Sequence, residues 1–273
     1  LVIVGSLWGA FFFGTYSANS PFQFSATFLK KMCYCCTMLV TLTIIRYKKR
    51  YIPFAVLAMA LHHIPFWLNS NAGFYKLLGC GKNGTFDKHP DWQQWGILTA
   101  HVANTVNQES NIKKLYGSFI HSWLKLFNCE VCTFYLEPME GHGKWDGKDC
   151  FGNLTRQNTF DGPIAVLTRA TIRLSQLSSF WKNVGSVANQ MTGADGFITS
   201  IGIGEMPLVK QATFSIWQSK EHMKKFAYNM KEHAEVIRKT RKENWYSEDM
   251  FVRFKLLKIN GTINGKNPLP EIL

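Results

Sequence analysis

Acidic side chains are scarce: 18 Asp plus Glu stand against 31 Lys plus Arg in 273 residues, a formal charge of +13. That deficit favours an anionic partner, a phospholipid surface or nucleic acid, over an acidic one. The bases are spread along the chain, with Lys48-Lys49-Arg50 the densest cluster, so a solvated basic surface is the plain reading. An even cysteine framework is also missing. Of seven Cys, three (Cys33, Cys35 and Cys36) crowd one short segment, which argues against a secreted disulfide scaffold and for a reducing, cytoplasmic compartment. The pair Cys129 and Cys132 has no second C-x-x-C and lies in a strand-like run, a weak zinc or redox signal.

Long apolar runs are few. Leu1 to Phe13 lacks the basic leader of a signal peptide. Met32 to Ile45 falls short of the roughly 20 residues that cross a bilayer. No transmembrane helix is therefore expected in the body of the chain. Met38 opens the first regular segment, so residues 1–37 read as an extension, an upstream-frame artefact or a poorly ordered leader.

Nucleotide and metal signatures are incomplete. Gly202-Ile203-Gly204-Glu205 lacks the third glycine of a dinucleotide fingerprint and runs into Pro207; a strand ending in a tight turn at a positive-φ glycine fits it better. None of the eight His forms H-E-x-x-H. No strand carries the basic-Gly-aromatic pattern of an RNA-binding sheet, so nucleic acid is discounted as a partner. What the chain does have is apolar bulk. Hydrophobic residues make up 46%, with 9 Trp and 21 Phe, enough to build an aromatic-rich core and to exclude long disorder.

Comparing the sequence with itself reveals a repeat. Phe74-Tyr75-Lys76-Leu77-Leu78-Gly79-Cys80-Gly81, then Trp95 to Ala100, then Ile112-Lys113-Lys114-Leu115 correspond in order and character to Phe197 to Gly204, Ala212 to Trp217 and Met223-Lys224-Lys225-Phe226. Apolar periodicity predicts strands near 39–46, 74–79, 94–101 and 130–137, repeated near 163–173, 197–203, 208–217 and 251–259. Helices are expected at 54–68 and 174–191, and after Asn107 and Ser219, residue types that cap first-turn amides. The order βαββαβ, twice, is an α+β fold of tandem ferredoxin-like units. The halves are expected at 38–137 and 163–260, with 138–162 as connection and 261–273 as tail. Packing the two sheets into one α+β barrel would leave a central chamber for a large apolar ligand.

Three features invite a chemical reading. Arg169 sits mid-strand in an apolar run and needs an acceptor, such as Glu205 or a cofactor carboxylate. His233 shares a helical stripe with Met223, Phe226, Met230 and Ile237, so it is a satisfied core histidine or a neutral imidazole offering a lone pair to a haem iron. Gly143-Lys144-Trp145-Asp146-Gly147-Lys148 is a structured turn or a lid.

Taken together, Ala165 to Ile172, Phe180-Trp181, Ile201 to Pro207, Gln211 to Trp217, His233, Ile237-Arg238, Asn244-Trp245 and Arg253-Phe254 resemble the spheroidene monooxygenase family. Phe74 to Gly81 and Gly143 to Lys148 extend the resemblance, which covers about residues 38–268. It implies O2-dependent introduction of a keto group into an acyclic carotenoid, haem as cofactor, a ferredoxin-type electron donor and peripheral contact with the cytoplasmic membrane. It also makes Arg169 and Glu205 the candidate catalytic residues, His233 the candidate iron ligand, and Arg169 a candidate for a haem propionate or for polarising bound oxygen. A cofactor-free oxygenase and a barrel that only binds a hydrophobic ligand are the alternatives.

Overall fold

The computed structural model describes residues 38–269, except 69–71, 83, 85, 86, 103–105, 108, 153, 155–159, 230–237 and 241; the side chains of 102, 184–189, 228 and 229 are also outside it. Eight strands and five α-helices are described. The first half contains β1 (Met38–Arg46), α1 (Ile52–Leu61), α2 (His63–Leu68), β2 (Phe74–Gly81), β3 (Pro90–Val102), α3 (Ile112–Leu126) and β4 (Glu130–Gly143). The second contains β5 (Ile164–Ile172), α4 (Leu177–Thr192), β6 (Phe197–Met206), β7 (Lys210–Trp217), α5 (Lys220–Asn229) and β8 (Tyr246–Gly261).

The strands close into one antiparallel barrel in the order β1-β3-β2-β6-β7-β5-β8-β4. Each half contributes the same local order, β4-β1-β3-β2 and β8-β5-β7-β6, so the repeat seen in the sequence is a repeat of topology. Two seams join the halves. The β2–β6 seam is short, pairing Gly79 with Gly204 and Cys80 with Ile203. The β4–β8 seam runs from Cys132↔Gly261 to Gly143↔Met250 with two bulges. This long seam explains why β4 and β8 outrun their expected limits: each continues where the other supplies a partner for its backbone groups. Gly143, at φ +92°, lies so near β8 that a Cβ would stand 2.2 Å from the Asp249 carbonyl oxygen, a position only glycine tolerates.

Helix starts follow local chemistry. Helix α1 enters through Pro53, which pre-sets the first turn. Helix α3 starts after Asn111, not Asn107: the Asn111 side chain accepts from the Lys114 amide at 3.0 Å. Asn107 instead closes its own turn with Glu109 and Ser110. Ser219 does cap α5, its hydroxyl accepting from the Glu221 amide at 3.2 Å.

Alternation sends one set of side chains inward from every strand. Leu42, Leu98, Leu78, Ile203, Phe214, Leu167, Val252 and Phe134, one per strand, are all buried in a single apolar cluster. Phe134 and Phe214 meet across the barrel with ring centroids 5.1 Å apart. The expected central chamber is therefore filled by side chains. The physical reason is width: eight strands enclose a space that their own side chains can occupy.

One segment departs from the membrane expectation. Lys49–Leu68 is long and apolar enough to cross a bilayer by length and composition. It turns at His62 and presses Ala55, Ala58, His62 and Phe66 against the protein. The packed interior makes a direct prediction: Phe134→Ala should cost about 3–5 kcal/mol of stability in urea unfolding, because the void beside Phe214 cannot collapse inside a closed barrel.

Candidate functional site

One barrel mouth is closed by charge. Thr171, Arg169, Lys210 and Glu248 lie in or beside one register on β5, β7 and β8, and Lys76 and Glu205 reach the same end from β2 and β6. The stopper is the Trp145–Lys148 turn, held by reciprocal backbone bonds of 3.0 and 3.1 Å. Its central residues, Asp146 (φ 50°) and Gly147 (φ 73°), take the left-handed pair expected of an Asp-Gly two-residue turn. Trp145 drops into the barrel, 1% exposed. Its indole N–H donates to Glu205 Oε2 at 2.8 Å, and the Arg169 guanidinium lies 4.8 Å from its ring centroid. The segment is thus the structured turn that was one of the two forms expected, with Trp145 seated as a plug in the filled barrel.

Arg169 is 1% exposed and donates to Glu248, to Asp146 Oδ1 at 3.1 Å and to Glu205 Oε2 at 3.3 Å. Lys76 binds Asp146 and Glu205, and Lys210 binds Asp146 Oδ1 at 2.8 Å. The Asp146 and Gly147 amides donate to Glu248 at 2.9 and 2.7 Å. Three cations meet three carboxylates around the buried Arg169, so the group is neutral as a whole. Burial alone would raise the Asp146 carboxyl, but hydrogen bonds from Lys210 and Lys76 outweigh it and hold the pKa down at about 2. Glu248 is lowered as well: burial pushes it up, and the bonds from Gly147, Arg169 and Asp146 pull it further down.

The sequence expectation for Arg169 and Glu205 resolves here. The two are neighbours, and the acceptor Arg169 needed is an internal one. Because its terminal nitrogens point to carboxylates on the inner face of the barrel, a haem propionate or bound oxygen does not fit at Arg169. Lys76 lay inside a motif read as a repeat and as part of the family resemblance, with no site role given to it, and Glu248 and Lys210 were missed; strand alternation in phase with Arg169 is the signal that marks them.

The outer face of the second half is different. Ser200, Gly202 and Gly204 alternate with inward Ile201 and Ile203, and pair with Ser215, Thr213 and Gln211 on β7. Thr168 and Ala170 continue this surface on β5. These are small side chains on a sheet face flanked by α4 and α5. The Thr213 hydroxyl is buried and has no hydrogen-bond partner among the described residues, the kind of orphan that a ligand or water normally satisfies. Beside it Met223 and Phe226 of α5 pack onto Ile164, Val166 and Trp217, and Phe226 lies 5.2 Å from the Trp217 ring. Arg253 donates to Glu140 at 2.8 Å on the same face, and Lys220 joins them at 2.6 Å.

The first half shows what a filled version looks like. There the Tyr116 hydroxyl of α3 bonds Thr43 at 2.6 Å and Thr41 at 3.0 Å, and Thr41 bonds Thr99 at 2.7 Å. That outer face has its hydroxyls paired internally. His233, the candidate iron ligand, lies outside the described residues. Among the described residues no cluster of three metal-ligating side chains occurs. Cys129 and Cys132 are free thiols that burial pushes up to about 12, which is contrary to a redox pair. The Gly202-x-Gly204 strand does end in a tight turn, though the positive φ falls on Leu208 (66°).

These charges set an acid limit. With a folded value near 2 against an ordinary 3.8, Asp146 stabilises the fold fully above about pH 4 and loses that contribution as pH falls toward 2. Unfolding midpoints measured from pH 6 to pH 2 should therefore drop steeply below pH 4 and more shallowly in Asp146→Asn. Arg169→Ala should lower the urea unfolding midpoint at neutral pH by removing the buried cation that Glu248, Asp146 and Glu205 share.

No protein-family model matches the chain. Among solved structures it is similar to an aldoxime dehydratase in complex with butyraldoxime (TM-score 0.53, 9% identity, 83% of this chain and 81% of the other). A second aldoxime dehydratase gives TM-score 0.51 and 7% identity over 82% and 83%. At such identities the likeness is one of fold. Sequence similarity reaches further. The spheroidene monooxygenase of Cereibacter sphaeroides is 33% identical over 217 residues, 79% of this chain and 64% of that protein's length. That of Rhodobacter capsulatus is 30% identical over 220 residues, 80% of this chain and 89% of the other. That of Rubrivivax gelatinosus is 33% identical over 199 residues, 71% and 73%. With relatives at 30% identity or more matched over most of their length, the chain belongs to the spheroidene monooxygenase family.

Proposed function

We propose that this protein is an O2-dependent monooxygenase that introduces a keto group into an acyclic carotenoid of the spheroidene type. The observation that carries the reading is the 30–33% identity to three proteins named for that activity, extending over 199–220 residues. Oxidising a methylene to a ketone by two hydroxylations consumes two O2 and four electrons, and the geminal diol loses water. A ferredoxin-type donor would supply the electrons, and haem, when bound, the activation of dioxygen.

Because the interior is packed, we assign the haem and the polyene to the outer face of the second half. There the buried Thr213 hydroxyl, without a partner among the described residues and paired across from Gly202 of β6, offers one hydrogen bond. By helical spacing His233 continues the stripe of Met223 and Phe226, which already packs on this face; we assign it the iron. Arg169 and Glu205 then act at a distance, by holding the ends of β5 and β6 in register beneath that surface. A dissolved polyene would be met at the cytoplasmic face of a membrane, where a chain of charge +13 is attracted to anionic lipid.

Pigment extraction from spheroidene-accumulating cells expressing the chain tests the activity: a ketocarotenoid is expected, and unchanged spheroidene would overturn it. The purified protein, made with haem supply, should show a Soret band that His233→Ala removes. Turnover with no haem or metal on analysis would favour a cofactor-free oxygenase, and a bound polyene without turnover would favour a binding barrel.

A further inference from the structure

From Pro53 to Leu68 every exposed residue is apolar: Pro53, Phe54, Val56, Leu57, Ala60, Ile64, Trp67 and Leu68. Trp67 is 72% and Leu68 83% exposed. Ala55, Ala58, His62 and Phe66 face the protein instead, so α1 and α2 are apolar on both sides. Helices of that kind belong in a core or against another apolar phase. The surface continues onto α3, where Phe119 and Leu126 are exposed. A run of ring contacts makes it continuous: Phe54 stacks on Phe127 at 4.7 Å, Phe127 meets Trp123 at 4.9 Å, and Trp123 meets Phe119 at 6.1 Å.

The rim is basic. Lys48, Lys49 and Arg50, all exposed, lead directly into α1, and Lys125 lies beside Leu126. Residues 51–68 contain no Asp, Glu, Lys or Arg. Among the described residues none of Lys48, Lys49 and Arg50 has a carboxylate partner, and the first turn of α1 has no acid. Three cations at the positive end of a helix are unfavourable within the protein, and an external anionic surface reverses the sign of that effect.

We propose that the α1–α2 face, extended by Phe119 and Leu126, docks the protein on an anionic phospholipid bilayer, with Phe54, Leu57, Ile64, Trp67 and Leu68 entering the headgroup–acyl boundary. Charge selects this occupant over a second copy of the chain. A two-fold dimer through the face would bring two Lys48-Lys49-Arg50 clusters to one interface, whereas anionic headgroups neutralise them. Aromatic and aliphatic side chains with a basic margin are the composition of an interfacial helix, which lies in the membrane plane. The inference names the surface behind the membrane contact proposed above, and it rests on exposure and charge independently of the oxygenase reading.

Flotation of the full chain with vesicles tests it. Wild type should float with phosphatidylcholine:phosphatidylglycerol at about 7:3 and bind phosphatidylcholine alone about tenfold or more weakly. Leu57→Glu/Trp67→Glu should lower binding to the mixed vesicles about tenfold or more, and Lys48→Glu/Lys49→Glu/Arg50→Glu should remove the preference for anionic lipid. The pair and the triplet are both exposed, so unchanged thermal unfolding verifies the fold. Failure of wild type to float, or flotation unaltered by both variants, would overturn the proposal. So would light scattering that shows a dimer dissociated by Leu57→Glu/Trp67→Glu. Binding is read without turnover, so its failure leaves the proposed activity standing, and a missing ketocarotenoid leaves the docking surface standing.

Discussion

Closing eight strands on themselves leaves an interior that side chains fill, and the rest of the molecule follows from that limit. Phe134 and Phe214 touch across the middle, and Trp145 and Phe151 belong to the same buried cluster. With the centre packed, the outer sheet faces, the helices and the barrel mouths remain for chemistry. The two halves, though topologically equal, use those faces differently. One pairs its hydroxyls through Tyr116; the other presents Ser200, Gly202, Thr213 and Ser215 with a hydroxyl left over.

Closure also explains the charged mouth. A barrel end carries strand termini whose inward side chains lie near solvent, and here β2, β5, β6, β7 and β8 direct Lys76, Arg169, Glu205, Lys210 and Glu248 there. A guanidinium that is 1% exposed is tolerated because its terminal N–H groups have carboxylate acceptors and its plane rests on Trp145. The Asp-Gly turn brings both the indole and the third carboxylate to the mouth. Its two backbone amides on Glu248 tie the connection between the halves to the last strand. The cluster thus fixes the register of strands from both repeats at the end where their seam is shortest.

Much of this architecture was legible in the chain. The correspondence of Phe74–Gly81 with Phe197–Gly204 is a correspondence of β2 with β6, and these strands meet at one seam. Arg169 announced a buried partner by its position, and Glu205 is one. The interior was misjudged because sequence patterning gives the face of a side chain and not the width between facing sheets. Strand ends were underestimated where polar residues continue pairing, as Glu140 to Gly143 do against β8. Asn107 and Asn111 are equally good caps by type, and the choice between them depends on where α3 meets the sheet. The exposure of α1 and α2 was hidden for a related reason: an apolar run reads as core until the surface it faces is known.

On the proposed reading, the inside of the barrel is structural and the outside of the second sheet carries the chemistry. Two adjacent residues on β7 separate these roles, since Thr213 points out and Phe214 points in. Unfolding temperature and ketocarotenoid yield per folded molecule, measured for Thr213→Val and Phe214→Leu, give the most direct comparison. The account predicts that Thr213→Val, which removes an unpartnered hydroxyl at nearly constant size, keeps the unfolding temperature within a few degrees and lowers conversion, while Phe214→Leu unfolds earlier and converts normally when folded. Full conversion by Thr213→Val, with selective loss in a stably folded Phe214→Leu, would contradict it.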